Sequence, residues 1–171
     1  ASSPLHPLAL LQLVSHTLEM RPLLKIKTKE FNAMQEKIVA HSHVLLDKEP
    51  NMFDLEYDEW LKSMRTAFFF LDWIDEHTED YFFEHYDVRP GELHAKLNTA
   101  DWLLYGISEL AGLLNADAVK KDMMKLRVRV RYGVREELLA LLKLDGVGRV
   151  RARTLFKNDI KEPTDLKTAP E

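Results

Sequence analysis

The chain is expected to be all-α: a helical bundle around one long central helix, followed by a truncated helix-hairpin-helix module. Apolar residues recur every three or four positions through most of its 171 residues, which is the period of an amphipathic helix. Proline and glycine stand where such segments open and close, and neither an Asn-Gly hairpin nor a sustained valine-rich run marks a sheet. With 46% hydrophobic and 30% charged residues, the chain can bury a core of one compact domain, or of a larger one with a small appendix.

Taken in order, Leu5, Leu8, Leu11 and Leu18 mark a first amphipathic segment, and Phe31, Met34 and Ile38 a second. Pro50 separates the second from a strongly apolar third, Trp60 through Ile74. Glu79 to Tyr86 reads as a short aromatic helix. Pro90-Gly91-Glu92 opens the long helix, running to about Asn115, with proline in the first turn, where its missing donor costs least. Leu93, Leu97, Ala100, Leu104, Ile107, Ala111 and Leu114 repeat at spacings of four and three, the seam of a helix packed among others. Leu126 to Tyr132 alternates with period two, yet Val119, Met123, Leu126 and Val130 keep helical spacing, so this stretch is expected to be helix. Arg127, Arg131 and Arg135 then fall on successive turns of one side unless Gly133 ends the helix first.

Glu136 to Leu142 are good helix formers with carboxylates in the opening turn. Leu144-Asp145-Gly146-Val147-Gly148-Arg149-Val150-Arg151-Ala152-Arg153 follows. Gly146 and Gly148 make a tight hairpin at which a backbone can approach a phosphate. A second helix is expected from near Val147, with Ala152 and Leu155 inward and its uncapped N–H groups toward an anion beside the hairpin. Thr164 to Glu171 reads as a further helix just beginning. That, together with a start at Ala1-Ser2-Ser3-Pro4 rather than methionine, leads us to expect part of a longer protein.

A net charge of −4 conceals a division: Lys120 to Lys161 holds 13 Lys and Arg against 5 Asp and Glu, or +8, leaving −12 elsewhere. Basic clustering that leads into a phosphate-competent hairpin is the electrostatic footprint of nucleic-acid binding, whose affinity falls with salt. On the long helix, Trp102 falls nearly opposite the apolar seam, beside Ala95, Asn98, Thr99, Gly106 and Glu109. Such a surface offers an indole to a passing base; periodicity alone equally allows Trp102 to pack beneath another helix.

The absence of cysteine excludes a disulfide scaffold, thiolate zinc sites and thiol catalysis. No apolar run reaches membrane-spanning length. There is no Gly-x-x-x-x-Gly-Lys-Ser/Thr loop and no acidic box for magnesium, so this chain alone is not expected to hydrolyse ATP or carry a cofactor. His41 and His43 diverge on a helix and lack further ligands, so no metal site is expected. Asp72, Asp75, Glu76, Glu79 and Asp80 read as solvated surface. Hairpin-helix elements also occur in glycosylases and lyases, but those place a lysine or aspartate just after the hairpin, where Arg149 to Arg153 stand here. A helical protein-interaction module, docking a partner through the acidic helices around Asp54 to Asp87, remains the alternative.

Pro90-Gly91-Glu92-Leu93, Asn98 to Tyr105, Arg131 to Leu139 and Gly148 to Arg153 together resemble the C-terminal part of archaeal Hjm-type DNA helicases, superfamily 2 motors related to the helicase part of polymerase theta. The likeness is strong from about Asp87 to Phe156 and diffuse before it. It implies that residues 1–133 are a ratchet-type domain, that Pro90 to Asn115 is the ratchet helix crossing translocating single-stranded DNA, and that Trp102 matches the base-stacking tryptophan. It further implies that residues 134–171 begin the helix-hairpin-helix domain that holds the exiting strand, with Arg149, Arg151 and Arg153 matching the family's Arg-x-Arg-Ala-Arg motif. Related helicases carry an arginine ahead of the tryptophan, where this chain has Ala95, which puts phosphate contact from that helix in question. The candidate DNA-contacting residues are thus Asn98, Trp102 and Lys96; Arg127, Arg131 and Arg135; Gly146 and Gly148; and Arg149, Arg151 and Arg153. The resemblance implies an intact ATP-dependent 3′-to-5′ helicase of stalled-fork repair, with ATP and magnesium held by a motor upstream. Its expected partners are single-stranded or forked DNA and that motor, without a membrane. The expected setting is cytoplasmic at the nucleoid, and the expected state a monomer.

Overall fold

The computed structural model describes residues 4–167. Among them are seven α-helices and no strand: α1 (Pro7–Ser15), α2 (Phe31–His41), α3 (Tyr57–Ile74), α4 (Glu79–Tyr86), α5 (Pro90–Leu113), α6 (Asp117–Tyr132) and α7 (Arg149–Lys157), joined by short 3-10 turns. Over 164–171, where a helix was expected, the described part is a 3-10 turn, Pro163–Lys167; residues 168–171 lie outside the described residues.

Helix α3 is the axis of the bundle. Phe68, Phe69 and Phe70 are all fully buried, and three consecutive residues cannot share one face of a helix, so α3 must be covered on every side. Helix α1 packs along it, His41 of α2 sets its ring edge-on to Phe68 at 5.3 Å, and Phe82 and Tyr86 of α4 do the same to Phe69 at 5.0 and 5.4 Å. On the remaining side the Trp73 indole donates to the Val130 carbonyl of α6 at 2.7 Å. Because α1 runs between α3 and α5, its residues Leu8 to Gln12 are all buried. The amphipathic segment expected there is therefore a core helix. Leu18 does not belong to it: it lies in a separate 3-10 turn and is exposed.

Local signals set several boundaries. The Thr78 hydroxyl caps α4 by accepting from the Tyr81 N–H at 3.4 Å. Pro90 is the first residue of α5, and Glu92 reaches back to accept from the Arg89 N–H at 3.3 Å, in the manner of a capping box. The seam of α5 is buried at Leu93, Leu97, Ala100, Leu104 and Ala111, and Ile107 packs against the core. Leu114 is exposed, because the helix ends one residue before it.

Residues 114–116 turn the chain so that α6 packs back along α5. The alternating stretch Leu126 to Tyr132 is helix, as its 3-to-4 spacing predicts, and this separates its arginines. Arg129 turns inward, 8% exposed, and donates through Nε to the Val134 carbonyl at 3.1 Å. Arg127 and Arg131 stay on the outer side. Gly133 ends the helix in the left-handed region at φ +64°, and a Cβ there would lie 2.6 Å from the Trp73 ring. Glycine is thus required both by conformation and by the indole. Arg135, beyond this stop, is not on the helix.

After Gly133 a second small core forms from Val134, Leu138, Leu141 and Ala152, with Leu155 packed beside them. The helix expected over 136–142 is instead two 3-10 turns, Glu136–Leu138 and Leu141–Lys143. The two turns place Leu138 and Leu141 in one buried cluster with Ala152 of α7; packing overrides a good intrinsic helix propensity. Gly146 takes the left-handed hairpin position at φ +73°. Gly148 is extended and caps α7, so that helix begins two residues later than expected.

Candidate nucleic-acid interface

The side of α5 away from its seam presents Ala95, Asn98, Trp102, Tyr105 and Glu109 to solvent at successive spacings of three and four. Trp102 is 53% exposed and Tyr105 46%. The indole is therefore a surface group rather than one packed beneath a neighbouring helix. Two large rings standing in water cost hydration free energy that burial would recover, so their exposure is consistent with a partner that covers them.

Asp101, beside Trp102, gathers the basic residues of α6 to this face. Its carboxylate accepts Arg127 Nε at 3.0 Å and Nη2 at 3.1 Å, and Arg131 Nη2 at 3.2 Å to each oxygen. Burial alone would raise the Asp101 carboxyl, but the hydrogen bonds and charges of Arg127 and Arg131 prevail and hold it below the usual carboxylate range. The Arg127 guanidinium also lies over the Tyr105 ring, 4.8 Å from its centroid. One carboxylate against two guanidiniums leaves the Asp101 cluster with one positive charge in excess beside Trp102 and Tyr105, while Glu109 carries a negative charge further along the same stripe.

Other predicted contacts lie elsewhere. Lys96 leaves the Trp102 face and donates to the Pro22 carbonyl at 2.6 Å; burial lowers its pKa against the opposing charge of Glu92. His94 bonds to Glu79 at 3.0 Å. Neither side chain stands in for the arginine replaced by Ala95. Arg135 lies 3.7 Å from Asp75, and that pairing takes it off the line of Arg127 and Arg131.

The arginines after the hairpin divide by environment. Arg149 donates to the His77 carbonyl at 2.5 Å and lies over the Trp73 ring at 4.7 Å; burial lowers its pKa, opposed by Glu76 and Glu79. Arg153 is gripped by both Glu76 oxygens, one at 3.0 Å through Nε, and by Glu137 at 2.7 Å. These acceptors, Glu76 first, raise its pKa. Arg151 is exposed and reaches back to the Gly146 carbonyl at 2.6 Å. Two members of the motif thus fasten the hairpin to the corner after α3, and the third lies on the outside of the hairpin.

That corner corrects the reading of the acidic run as solvated surface at Glu76 and Asp72, while Asp75, Glu79 and Asp80 are exposed as expected. Glu76 clasps Arg153, and Asp72 accepts the Tyr81 and Tyr86 hydroxyls at 3.2 and 2.5 Å. Glu76, His77, Asp101 and Tyr105 were absent from the predicted site. Tyr105 was detectable, three residues past Trp102 on the same stripe. Glu76 was not, since 77 positions separate it from Arg153.

Among the described residues no group of His, Cys, Asp and Glu is placed to hold a metal ion, and no helix is long and apolar enough to cross a membrane. His41 is occupied instead in donating its Nδ1–H to the Lys37 carbonyl at 2.7 Å.

Comparison with known proteins shows the family. The chain is 37% identical over 163 residues to the ATP-dependent DNA helicase Hel308 of Methanococcus vannielii, covering 93% of this chain and 20% of that protein. It is 34% identical over 155 residues to that of Caldivirga maquilingensis, covering 86% of this chain and 20% of that protein. The same-named helicase of Thermococcus kodakarensis is 33% identical over 162 residues, covering 94% and 14% respectively. The chain therefore spans a fifth or less of the length of these relatives. A family model described as archaeal helicase, domain 4, matches residues 8–133, which takes in α1 to α6 with the whole of the Trp102 face. The chain belongs to the archaeal helicase domain 4 family.

Proposed function

We propose that the outer face of α5 binds single-stranded DNA, and that the chain is the non-catalytic strand-gripping part of an ATP-dependent 3′-to-5′ DNA helicase of replication-fork repair. The observation that carries this reading is the half-exposed indole of Trp102 on the outward stripe of a long helix whose opposite seam is buried, with Arg127 and Arg131 held beside it by Asp101. Aromatic faces stack on bases of any sequence, and guanidiniums follow the phosphate backbone. A motor elsewhere in the same polypeptide, which holds ATP and magnesium, draws the strand forward. Stacking on Trp102 resists slippage between steps. Residues 1–133 act as the ratchet-type domain, and residues 134–171 begin the helix-hairpin-helix domain, whose exposed Arg151 grips or brakes the emerging strand. The partners are single-stranded or forked DNA and the motor domains; the protein works as a monomer at the nucleoid.

The test is a titration of the chain and its Trp102→Ala variant with a single-stranded oligonucleotide, alongside thermal melts. Stacking is worth about 1–3 kcal/mol per base, so affinity should fall at least fivefold while the melting temperature barely moves. A large drop in melting temperature with unchanged affinity of the folded protein would refute the assignment.

A second reading has its own observation. Phe53 and Leu55 are fully or almost fully exposed in a loop that also carries Asp54 and Glu56, as suits a protein-interaction module of a repair factor. Binding of a protein partner that survives removal of these two side chains would count against it.

A further inference from the structure

We propose that Tyr105 is a second base-stacking platform, one helical turn beyond Trp102, held in place by Arg127 and Asp101. This rests on the reading that the outer face of α5 carries single-stranded DNA. Three residues of α-helix advance about 4.5 Å along the axis and turn through about 300°, so the two rings emerge side by side on nearly the same face. That advance exceeds the ~3.4 Å rise per base of a stacked strand and suits a strand stretched slightly beyond it, so the two platforms meet adjoining bases. Tyr105 keeps 46% of its surface in solvent although the Arg127 guanidinium lies over its ring at 4.8 Å.

The arrangement around the ring is a built one. Asp101 fixes the Arg127 guanidinium through two hydrogen bonds, at 3.0 and 3.1 Å, and Arg127 in turn lies against the phenol ring. A guanidinium on one side of an aromatic ring limits its swing and, by a cation–π attraction, favours the orientation in which the rest of the ring stays open. Asp101 and Arg127 are positioning residues here; the ring is the contact. Arg131, held on the same carboxylate and exposed, supplies positive charge for the phosphate between the two bases. Stacking at a second ring also compensates for Ala95, which leaves the Trp102 face without a cation two turns before the indole.

The test compares two probes of equal length and charge: a thymidine 20-mer and the same strand with every base replaced by an abasic sugar. The ratio of their affinities isolates what the bases contribute, since both carry the same phosphates. For the chain, Tyr105→Ala should lower that ratio about fivefold or more by weakening the thymidine strand alone, and Tyr105→Phe should preserve it. Trp102→Ala should lower it comparably. If Tyr105→Ala leaves the ratio unchanged while Trp102→Ala lowers it, the second platform is refuted and the α5 reading stands. If neither changes it, the α5 reading itself fails and the proposal with it. Equal loss on both probes would make Tyr105 a structural residue, and equal loss in Tyr105→Phe would assign the effect to the hydroxyl; either overturns the proposal.

Discussion

Arg153 and Glu76 face each other across 77 positions of sequence as a bidentate pair, with the guanidinium Nε donating to Oε1 at 3.0 Å and Nη2 to Oε2. The pair joins the small core after Gly133 to the corner between α3 and α4. Arg149 adds a second tie at the adjacent His77 carbonyl. A bidentate pair of this kind is directional as well as strong, so it sets the angle at which the hairpin leaves the bundle.

The first prediction concerns acid. Burial would raise the Glu76 carboxyl, but the Arg153 hydrogen bonds and charge, with help from Arg135 and Arg149, bring it below its ordinary value of 4.5. A carboxyl held low in the folded state contributes stability that is fully present above its unfolded value. That contribution is lost as pH falls through the folded value. Glu76→Gln should therefore destabilise the chain at pH 7 by about 2 kcal/mol, the scale of a charged hydrogen bond lost in a partly buried site. The gap between the two proteins should close as pH drops below about 4.5. Thermal melts across pH 3 to 7 measure this, and a gap that stays constant to pH 3 would show that Glu76 does not act through its charge.

How much of this was legible depends on whether the cause is local. The start of α5 at Pro90 and the span of α4 follow from proline and a threonine cap, signals within a few residues of what they control. Helical period puts Trp102 opposite a strongly apolar seam, but that no neighbouring helix covers it there is a property of the tertiary fold. The arginines did not sort themselves in the same way. Arg127, Arg129, Arg131, Arg149, Arg151 and Arg153 carry the same charge, and whether each faces solvent or a carboxylate depends on partners that only the tertiary fold brings near. Leu138 and Leu141 illustrate the same limit, because a segment with good helix propensity becomes two 3-10 turns in order to place both on Ala152.

A second prediction follows from Gly133. Its φ of +64° and the 2.6 Å approach of a Cβ to the Trp73 ring mean that alanine meets both backbone strain and a collision with a buried indole. Trp73 cannot yield easily, since its Nε1 is bonded to Val130 at 2.7 Å. Gly133→Ala should cost about 2–5 kcal/mol. Gly91→Ala, at an open position in the first turn of α5, should be neutral or slightly stabilising. Chemical denaturation of the two variants beside the parent checks this, and near-equal midpoints for Gly133→Ala and the parent would refute it.

The last prediction divides the hairpin arginines by function. Arg149 and Arg153 are occupied by the His77 carbonyl and by Glu76 with Glu137, while Arg151 is exposed with a single backbone bond at the hairpin. An arginine that neutralises a phosphate releases counterions, and on single strands each such contact contributes about 0.7 to the slope of log affinity against log salt. Arg151→Ala should flatten that slope by about this amount and leave the melting temperature within a degree or two, since a surface substitution away from packed contacts costs little. Arg153→Ala should do the reverse. It leaves Glu76 partly buried without its cation, which lowers the melting temperature, while the salt slope of the protein still folded changes little. Titrations at four or five salt concentrations, paired with melts, separate the two behaviours. If Arg153→Ala flattens the slope as much as Arg151→Ala and leaves stability intact, the arginine serves the strand rather than the fold, and the tie to Glu76 gives way when DNA binds.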